Sequence, residues 1–511
     1  MTVRAETLLL GLDIGTTHIK GVLYAPERGQ VVAQARTHTP TVSPRPGWHE
    51  HDPDALWAEV RTCLRQLAAA VPPGGQIAAV AVASMGEAGT LYDAAGAPLH
   101  PIIAWHDPRT RPQRDWWAER IAPYDLFRRT GQHLSHIHSV HKLMWLRESY
   151  PDRFARAASW LGVADMVLWR LCGVRATDYT IASRTMLFDQ AAADWCRELL
   201  EIAGIRPGLL PCPHPSGTVV GHVTPAAAAE TGLAPGTAVV TGGHDHLCAA
   251  LACGCARPTQ VLDSAGTSEA MLWLRDTFQP SPEMFTLGYA TYRHVVPGLF
   301  VVQGGLDAGG AFLDWTAQML GLAPAAERVA QLLALAAEAA PGAEGVVALP
   351  YLLGKGVPQR VAGARALFAG LELRHGRREV ARAAVEATAY WLHSNLDALC
   401  ALLGAAPDAV IGTGRGNGAA LVAQIKADVC GLSFIVPEIE EGAALGAALL
   451  AGIGVGVFAS AAEAHASVRA EATHYLPDTA RHAAYQAHYM RAMRPLMDVI
   501  YEYYRTEPRS E

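Results

Sequence analysis

The chain has 511 residues, of which 50% are hydrophobic and 17% charged, with a formal net charge of -7. That supplies core for two large domains or three average ones and excludes wholesale disorder. A mildly acidic chain with no long basic run is a poor partner for nucleic acid or an anionic membrane surface.

The first elements read as strands. Residues 7–12 are apolar, Asp13-Ile14-Gly15-Thr16-Thr17 makes a polar turn, residues 19–24 resume with β-branched side chains, and 30–35 fits a third strand. A helix follows: Asp52 is a good N-cap, Pro53 takes the first helical position, and Leu56, Val60, Leu64, Leu67 and Val71 mark one face. Pro72-Pro73-Gly74-Gly75 ends it, and 77–83 is a short buried strand. Histidines at 133, 136, 138 and 141 read as a loop of partly exposed imidazoles.

The pattern restarts near residue 234, with a strand at 237–241, a turn at Gly242-Gly243-His244-Asp245 and a helix start at 246–253. Strands at 260–263 and 271–274 flank a second glycine-hydroxyl turn, Ser264-Ala265-Gly266-Thr267-Ser268. A long helix spans 379–403 with Gly404 as its stop. Residues 410–411 then run into a glycine-rich loop, 412–418, and a last helix covers 481–504. Strands alternating with amphipathic helices predict an α/β fold, with a domain boundary near 250–258 that divides the chain into 1–252 and 253–511. One weak internal echo is present: strand, glycine-hydroxyl turn, strand, near residue 15 and again near 266.

The uncharged stretch 442–462 is long enough to span a bilayer and carries GxxxG spacings. Its small residues dilute the hydrophobicity and one end lacks a cationic anchor, so the expectation is a buried helix that lets backbone approach backbone, then a glycine-rich loop. Nine cysteines scattered among apolar residues suit reduced thiols, and the apolar run at 8–10 meets Asp13 at once, unlike a signal peptide. A cytoplasmic location is expected. His244 and His246 with Cys248, Cys253 and Cys255 raise a zinc site, but the spacing has no CxxC and shares no helix face, so a metal cluster is not expected.

The two glycine-hydroxyl turns carry the chemistry. Each joins two apolar strands, and glycine permits a tight turn whose N–H groups converge, with Thr or Ser hydroxyls adding donors for a phosphate. An Asp beside such a nest suits Mg²⁺, usually held through water. The plain alternative is a pair of ordinary hairpin turns. No GxxxxGK[ST] loop exists, and the glycine run 414–418 lacks dinucleotide-fingerprint spacing.

On these residues the chain resembles the FGGY family of carbohydrate kinases, within the actin/hexokinase-like ATPase superfamily, over nearly its whole length. The resemblance is carried by 11–17, by Ile103-Ala104-Trp105-His106-Asp107-Pro108-Arg109-Thr110, by Thr177-Asp178 with Ala182-Ser183-Arg184 and Phe188-Asp189, and by 242–245. Residues 366–371, 379–380 and 383–386 fit the family's second sequence pattern position by position. The first pattern fits at Ser139, Lys142, Leu143, Trp145 and Leu146, but Ile137 and Ser149 depart from it.

The resemblance implies two ribonuclease H-like (actin-like ATPase) domains, each a mixed sheet flanked by helices, with a cleft between a sugar-binding and an ATP-binding side. It implies ATP-dependent phosphorylation of a small sugar, polyol or sugar acid, with ATP and Mg²⁺. Asp245 would be the general base; its alternative on the bare sequence is a helix N-cap. Asp13 would hold Mg²⁺ through water, together with Asp245. Thr16, Thr17, Gly266 and Thr267 would bind phosphates, Gly309 and Gly310 would approach the nucleotide, and Gly414 and Asn417 would line the adenosine pocket. Glu87, Trp105, Asp107 and Asp245 are the expected substrate contacts, with His136 or His138 as a further one. Glu87 falls where glycerol kinases place a substrate-binding Glu, but Gly86 replaces their Arg, and the GQMHG motif of xylulose kinases is absent. The rivals are a non-catalytic or regulatory sugar- or nucleotide-binding protein on the same fold, and an actin-like ATPase with a protein partner. A homodimer is one assembly open to it.

Overall fold

The computed structural model describes residues 6–506. Six strands form the first sheet, in the order Gln30–His38, His18–Ala25, Glu6–Ile14, Gly75–Ser84, Ala238–His244, Val219–His222. Successive pairings across it are antiparallel, antiparallel, parallel, parallel and antiparallel. The second sheet has seven strands. From Phe300–Leu306 it passes through Glu269–Arg275, Gln260–Ala265, Ala409–Thr413, Ser433–Pro437 and Ala472–Tyr475, with Ala290–Arg293 added at the outer edge. Those six strands repeat the same series of pairings. The faint echo in the sequence is therefore a full topological repeat.

Helices and sheets stack in layers. Leu56, Val60, Leu64 and Leu67 of the helix Pro53–Ala69 bury one face against Leu8, Leu10 and Leu12 of the first sheet. Asp52 caps that helix, accepting from the N–H of Ala55 at 2.8 Å; Val71 lies beyond its end. On the opposite face, Leu9, Val22 and Ala81 share a core with Leu262, Leu272 and Ile411 of the second sheet. The helices Asp245–Ala252 and Gly442–Gly454 fill the space between. The outer face of the second sheet is covered by Arg377–Leu403, stopped by Gly404 in the left-handed conformation.

The division at 252/253 falls just after the helix Asp245–Ala252, yet the helix Gly442–Gly454 from the second half lies on the first sheet. Backbone meets backbone there: a Cβ on Gly446 would sit 1.9 Å from the Cys248 carbonyl oxygen. Among the described residues no helix is long and apolar enough to cross a membrane.

Two expectations change. The strand Ala238–His244 runs straight through Gly242 and Gly243, so these are not turn residues; the pairing shifts register between Thr241 and Gly243, and glycine marks a bulge. The last helix is two, Thr479–His488 and Arg494–Thr506, joined by a π-helical turn at Tyr489–Met493.

Candidate active site

Asp245 is the first residue of its helix, at the end of a parallel strand, and its carboxylate accepts from the His246 N–H at 2.7 Å. The imidazole of His244 lies 3.5 Å away and that of His246 4.0 Å away. Burial pushes the Asp245 carboxyl up, but the two histidines, the N–H and Arg184 outweigh it and hold the pKa below the usual carboxylate range. Asp13, on the first strand, is its electrostatic neighbour. Burial, and then the charge of Asp245, push Asp13 up to about 8, against the opposing pull of Lys20. Lys20 is itself paired with Glu441 at 2.6 Å. Asp13 Oδ1 is buried with no hydrogen-bond partner, which fits a cation or its water shell.

Both glycine-hydroxyl turns are hairpin tips. In the first, Gly15 N donates to the His18 carbonyl at 3.0 Å, Thr17 is exposed, and the Trp105 indole donates to Thr16 Oγ1 at 3.1 Å. In the second, Gly266 N donates to the Ser268 carbonyl at 2.8 Å. Two further loops close on this second tip. Gly310 N donates to the Gly266 carbonyl at 3.1 Å, Ala311 N to the Thr267 carbonyl at 3.0 Å, and Gly416 N to the Ala265 carbonyl at 3.0 Å. A side chain cannot enter: a Cβ on Gly310 would lie 2.2 Å from Gly266 O, and one on Gly414 2.3 Å from Ala265 O. Gly309 packs on Glu269 in the same cradle. A cavity of about 230 Å³ opens beside it, lined by His246 from the first half and by Gly266, Ser268, Glu269, Gln303 and Asp307 from the second.

Comparison with known proteins identifies the family. The profile of the FGGY family of carbohydrate kinases, N-terminal domain, matches residues 8–252, and that of the C-terminal domain matches 261–455. The chain belongs to the FGGY family of carbohydrate kinases. A glycerol kinase of Albidiferax ferrireducens is 31% identical over 505 residues, covering 96% of this chain and 99% of that one. A xylulose kinase of Escherichia coli is 31% identical over 486 residues, covering 94% and 96%. The crystal structure of xylulose kinase from Rhodospirillum rubrum superposes with a TM-score of 0.90 at 32% identity, over 98% of this chain and 100% of that one. The fold is thus the two-domain actin-like ATPase fold, and the chain is a carbohydrate kinase, a phosphotransferase. Kinases of this family use ATP.

Several residues of this FGGY kinase sit otherwise than the sequence suggested. Asp107 is fully buried and its oxygens are spent: Arg109 Nε and N–H donate to Oδ1 at 2.9 Å, and His49 N–H and Arg109 Nη2 donate to Oδ2 at 2.7 Å. Arg109 continues to Glu50 at 2.6 Å and lies over the Trp48 ring. Asp107 therefore shapes the loop that carries Trp105 and has no oxygen left for a sugar. Asn417 is likewise fully buried. Its amide donates to the carbonyls of Asp263 and Thr413, at 2.8 and 3.1 Å, and its oxygen accepts from Lys426 at 2.8 Å, so it holds the glycine loop in place and does not face adenosine.

Glu87 is no surface carboxylate. It is 5% exposed, its backbone is left-handed (φ 58°), and it accepts from Arg184 Nε at 2.7 Å. The Arg184 guanidinium continues to Gln132 Oε1 at 3.2 Å and is close enough to Asp245 for their charges to interact. Trp105 is 37% exposed, at the first hairpin. Of the four histidines, His133 and His136 lie partly exposed on a loop as expected, whereas His138 and His141 are buried. Both ring nitrogens of His138 lie near a carbonyl, of Arg184 at 3.1 Å and of His133 at 2.9 Å, and the neutral ring donates to one of them, while His141 is buried inside the helix Ser139–Ser149. Among the described residues no group of three potential ligands could hold a metal ion.

The sequence named Arg184 and His246 without giving either a place in the active site, and it did not single out Gln303, Asp307 or Lys426. His246 is adjacent to Asp245 and Asp307 lies two residues before Gly309, so a signal for both was present in the sequence. Lys426 had none, since it lies on a helix remote in sequence from both carboxylates it serves.

Proposed function

We propose that the protein transfers the γ-phosphoryl group of ATP to a hydroxyl of a small carbohydrate, with Asp245 as the general base and Mg²⁺ as the metal. The observation that carries this is the meeting of His246, next to Asp245, with the second hairpin on one cavity, while the orphaned Asp13 carboxylate stands on the first hairpin. In this reading Asp245 takes the proton of the attacking hydroxyl, the phosphorus–oxygen bond to ADP breaks, and a new one forms to the sugar oxygen. Transfer of this kind has a loose transition state, so positioning and charge neutralisation dominate, and a positioned base adds about 10²–10⁴-fold. Asp13 and Asp245 would hold Mg²⁺ through water; bound there it neutralises charge on the phosphate oxygens. Thr16, Thr17, Gly266 and Thr267 would cradle the phosphates, and Gly309, Gly310 and Gly414 give the nucleotide close approach to backbone.

Trp105 supplies a flat wall for a sugar face, and Glu87 with Arg184 forms the polar floor. The charge of that floor is balanced, because Glu87 is paired with Arg184. A balanced floor favours a neutral polyol or ketose over a sugar acid, whose carboxylate would find the Arg184 guanidinium already paired with Glu87. ADP release measured across polyols, ketoses and aldonates tests the reading. Turnover with a neutral acceptor supports it; ATP hydrolysis indifferent to every acceptor favours an ATPase, and turnover confined to aldonates removes the charge argument.

A further inference from the structure

A second cavity, of about 160 Å³, lies at the seam between the two halves. Tyr179, Pro215 and Ser216 line it from the first half, Arg293, His294 and Leu299 from the second. Three of these residues carry buried polar atoms with no hydrogen-bond partner: Ser216 Oγ, Arg293 Nε and His294 Nε2. Ser216 is 6% exposed and His294 4%. Each such donor left dry costs about 1–3 kcal/mol, which an occupant that accepts hydrogen bonds would recover.

All three are able to donate. The Val296 N–H donates to His294 Nδ1 at 3.2 Å, which places the ring proton on Nε2. Arg293 makes no ion pair among the described residues. Its Nη2 donates to the Gln190 carbonyl at 2.7 Å, and the guanidinium lies 5.1 Å from the centroids of both Tyr179 and Phe300. The carboxylate that acts on it, Asp189, spends Oδ1 on the N–H groups of Ala191 and Ala192, at 2.9 Å each. A cluster of unpaired donors around one cation that makes no direct ion pair is complementary to an oxyanion.

We infer that this seam cavity binds a small phosphate-type oxyanion, supplied either as inorganic phosphate or as the phosphoryl group of a phosphorylated sugar. Both walls lean on the strand that presents Asp245. The Pro215 carbonyl accepts from Thr241 Oγ1 at 2.8 Å, and Val295 packs on Gly243, where a Cβ would meet Val295 Cγ1 at 2.4 Å. Beyond Leu299 the chain becomes the strand Phe300–Leu306, whose Gln303 and Gly305 line the catalytic cavity. An anion held across the seam therefore biases how the halves sit over the cleft, and the coupling must be reciprocal. The coupling, unlike the binding, rests on the kinase reading.

Isothermal titration of the full-length protein with inorganic phosphate, with MgADP filling the cleft, tests the site. Saturable binding is expected, weakened roughly 10–100-fold in Arg293→Gln, as loss of a charge-assisted bond predicts. Ser216→Ala should weaken binding several-fold while leaving the ligand-free melting temperature unchanged or higher, because it deletes an unpaired hydroxyl; this variant decides the matter if Arg293→Gln does not fold. Glycerol 3-phosphate binding more tightly than phosphate, by an increment that Arg293→Gln abolishes, points to a sugar phosphate as source; equal binding points to phosphate. Phosphate binding that neither variant weakens, absence of binding, or a lower ligand-free melting temperature in Ser216→Ala overturns the proposal and makes the cavity a water-filled seam. The binding should persist in Asp245→Asn, so failure of the kinase reading leaves this result standing.

Discussion

Lys426→Met removes the cation at the centre of the second lobe. Its ammonium lies 2.5 Å from Asp263 Oδ2, 2.8 Å from Glu269 Oε1 and 2.8 Å from Asn417 Oδ1. Asp263 precedes the second glycine-hydroxyl hairpin, Glu269 follows it, and Asn417 belongs to the glycine loop, so one side chain clamps three pieces of the proposed nucleotide cradle. Lysine and both acids are at most 2% exposed. One ammonium cannot balance two carboxylates; the cluster is neutral when Glu269 keeps its proton, and burial pushes its pKa up to about 8. Removing one partner from a buried ion pair costs about 3–5 kcal/mol, and that is the loss expected for Lys426→Met near neutral pH, with a raised KM for ATP.

The same acid gives a pH signature. The folded protein holds the Glu269 proton to about 8 whereas an unfolded Glu loses it near 4.5, so the folded state binds more protons in that window and stability falls as pH climbs through it. Glu269→Gln should flatten the slope. Urea unfolding at several pH values, with ATP KM on the same samples, reads both. A Lys426→Met protein within about 1 kcal/mol of the parent, with unchanged ATP KM, would refute the clamp.

Gly446→Ala places a methyl 1.9 Å from the Cys248 carbonyl and forces apart the helices that connect Asp245 to the second lobe; a stability loss at or above the usual overpacking range of about 1–3 kcal/mol is expected, with lower kcat, by thermal unfolding and steady-state assay. Parent-like stability and turnover would mean that the two helices separate freely. Glu87→Gln breaks the charge balance with Arg184 and should raise the sugar KM roughly tenfold or more, about 1.4 kcal/mol, with little change for ATP. Equal rises for both substrates would take Glu87 out of the sugar pocket.

Much of the architecture was legible because hydrophobic runs and glycine stops are local. The hairpin around Gly15, the Asp52-capped helix and the helix ending at Gly404 all emerged near their observed places. The helix at 442–454 was readable from small residues that admit only close backbone packing. What failed was long-range. Gly242 and Gly243 look like a turn until the neighbouring strand is known, and Asp107 and Asn417 look like free ligands until Arg109 and Lys426 arrive from elsewhere in space. Glu87 was read as a substrate contact without its ion-pair partner, since Arg184 lies far along the chain.

Asp245→Asn examined by rapid-quench phosphoryl transfer, with nucleotide binding followed on the same preparation, tests the central claim most directly. Loss of about 10²–10⁴ in the transfer rate with MgATP affinity retained is the result predicted. Near-parent transfer would contradict the account and leave Asp245 as an ordinary residue of a helix's first turn.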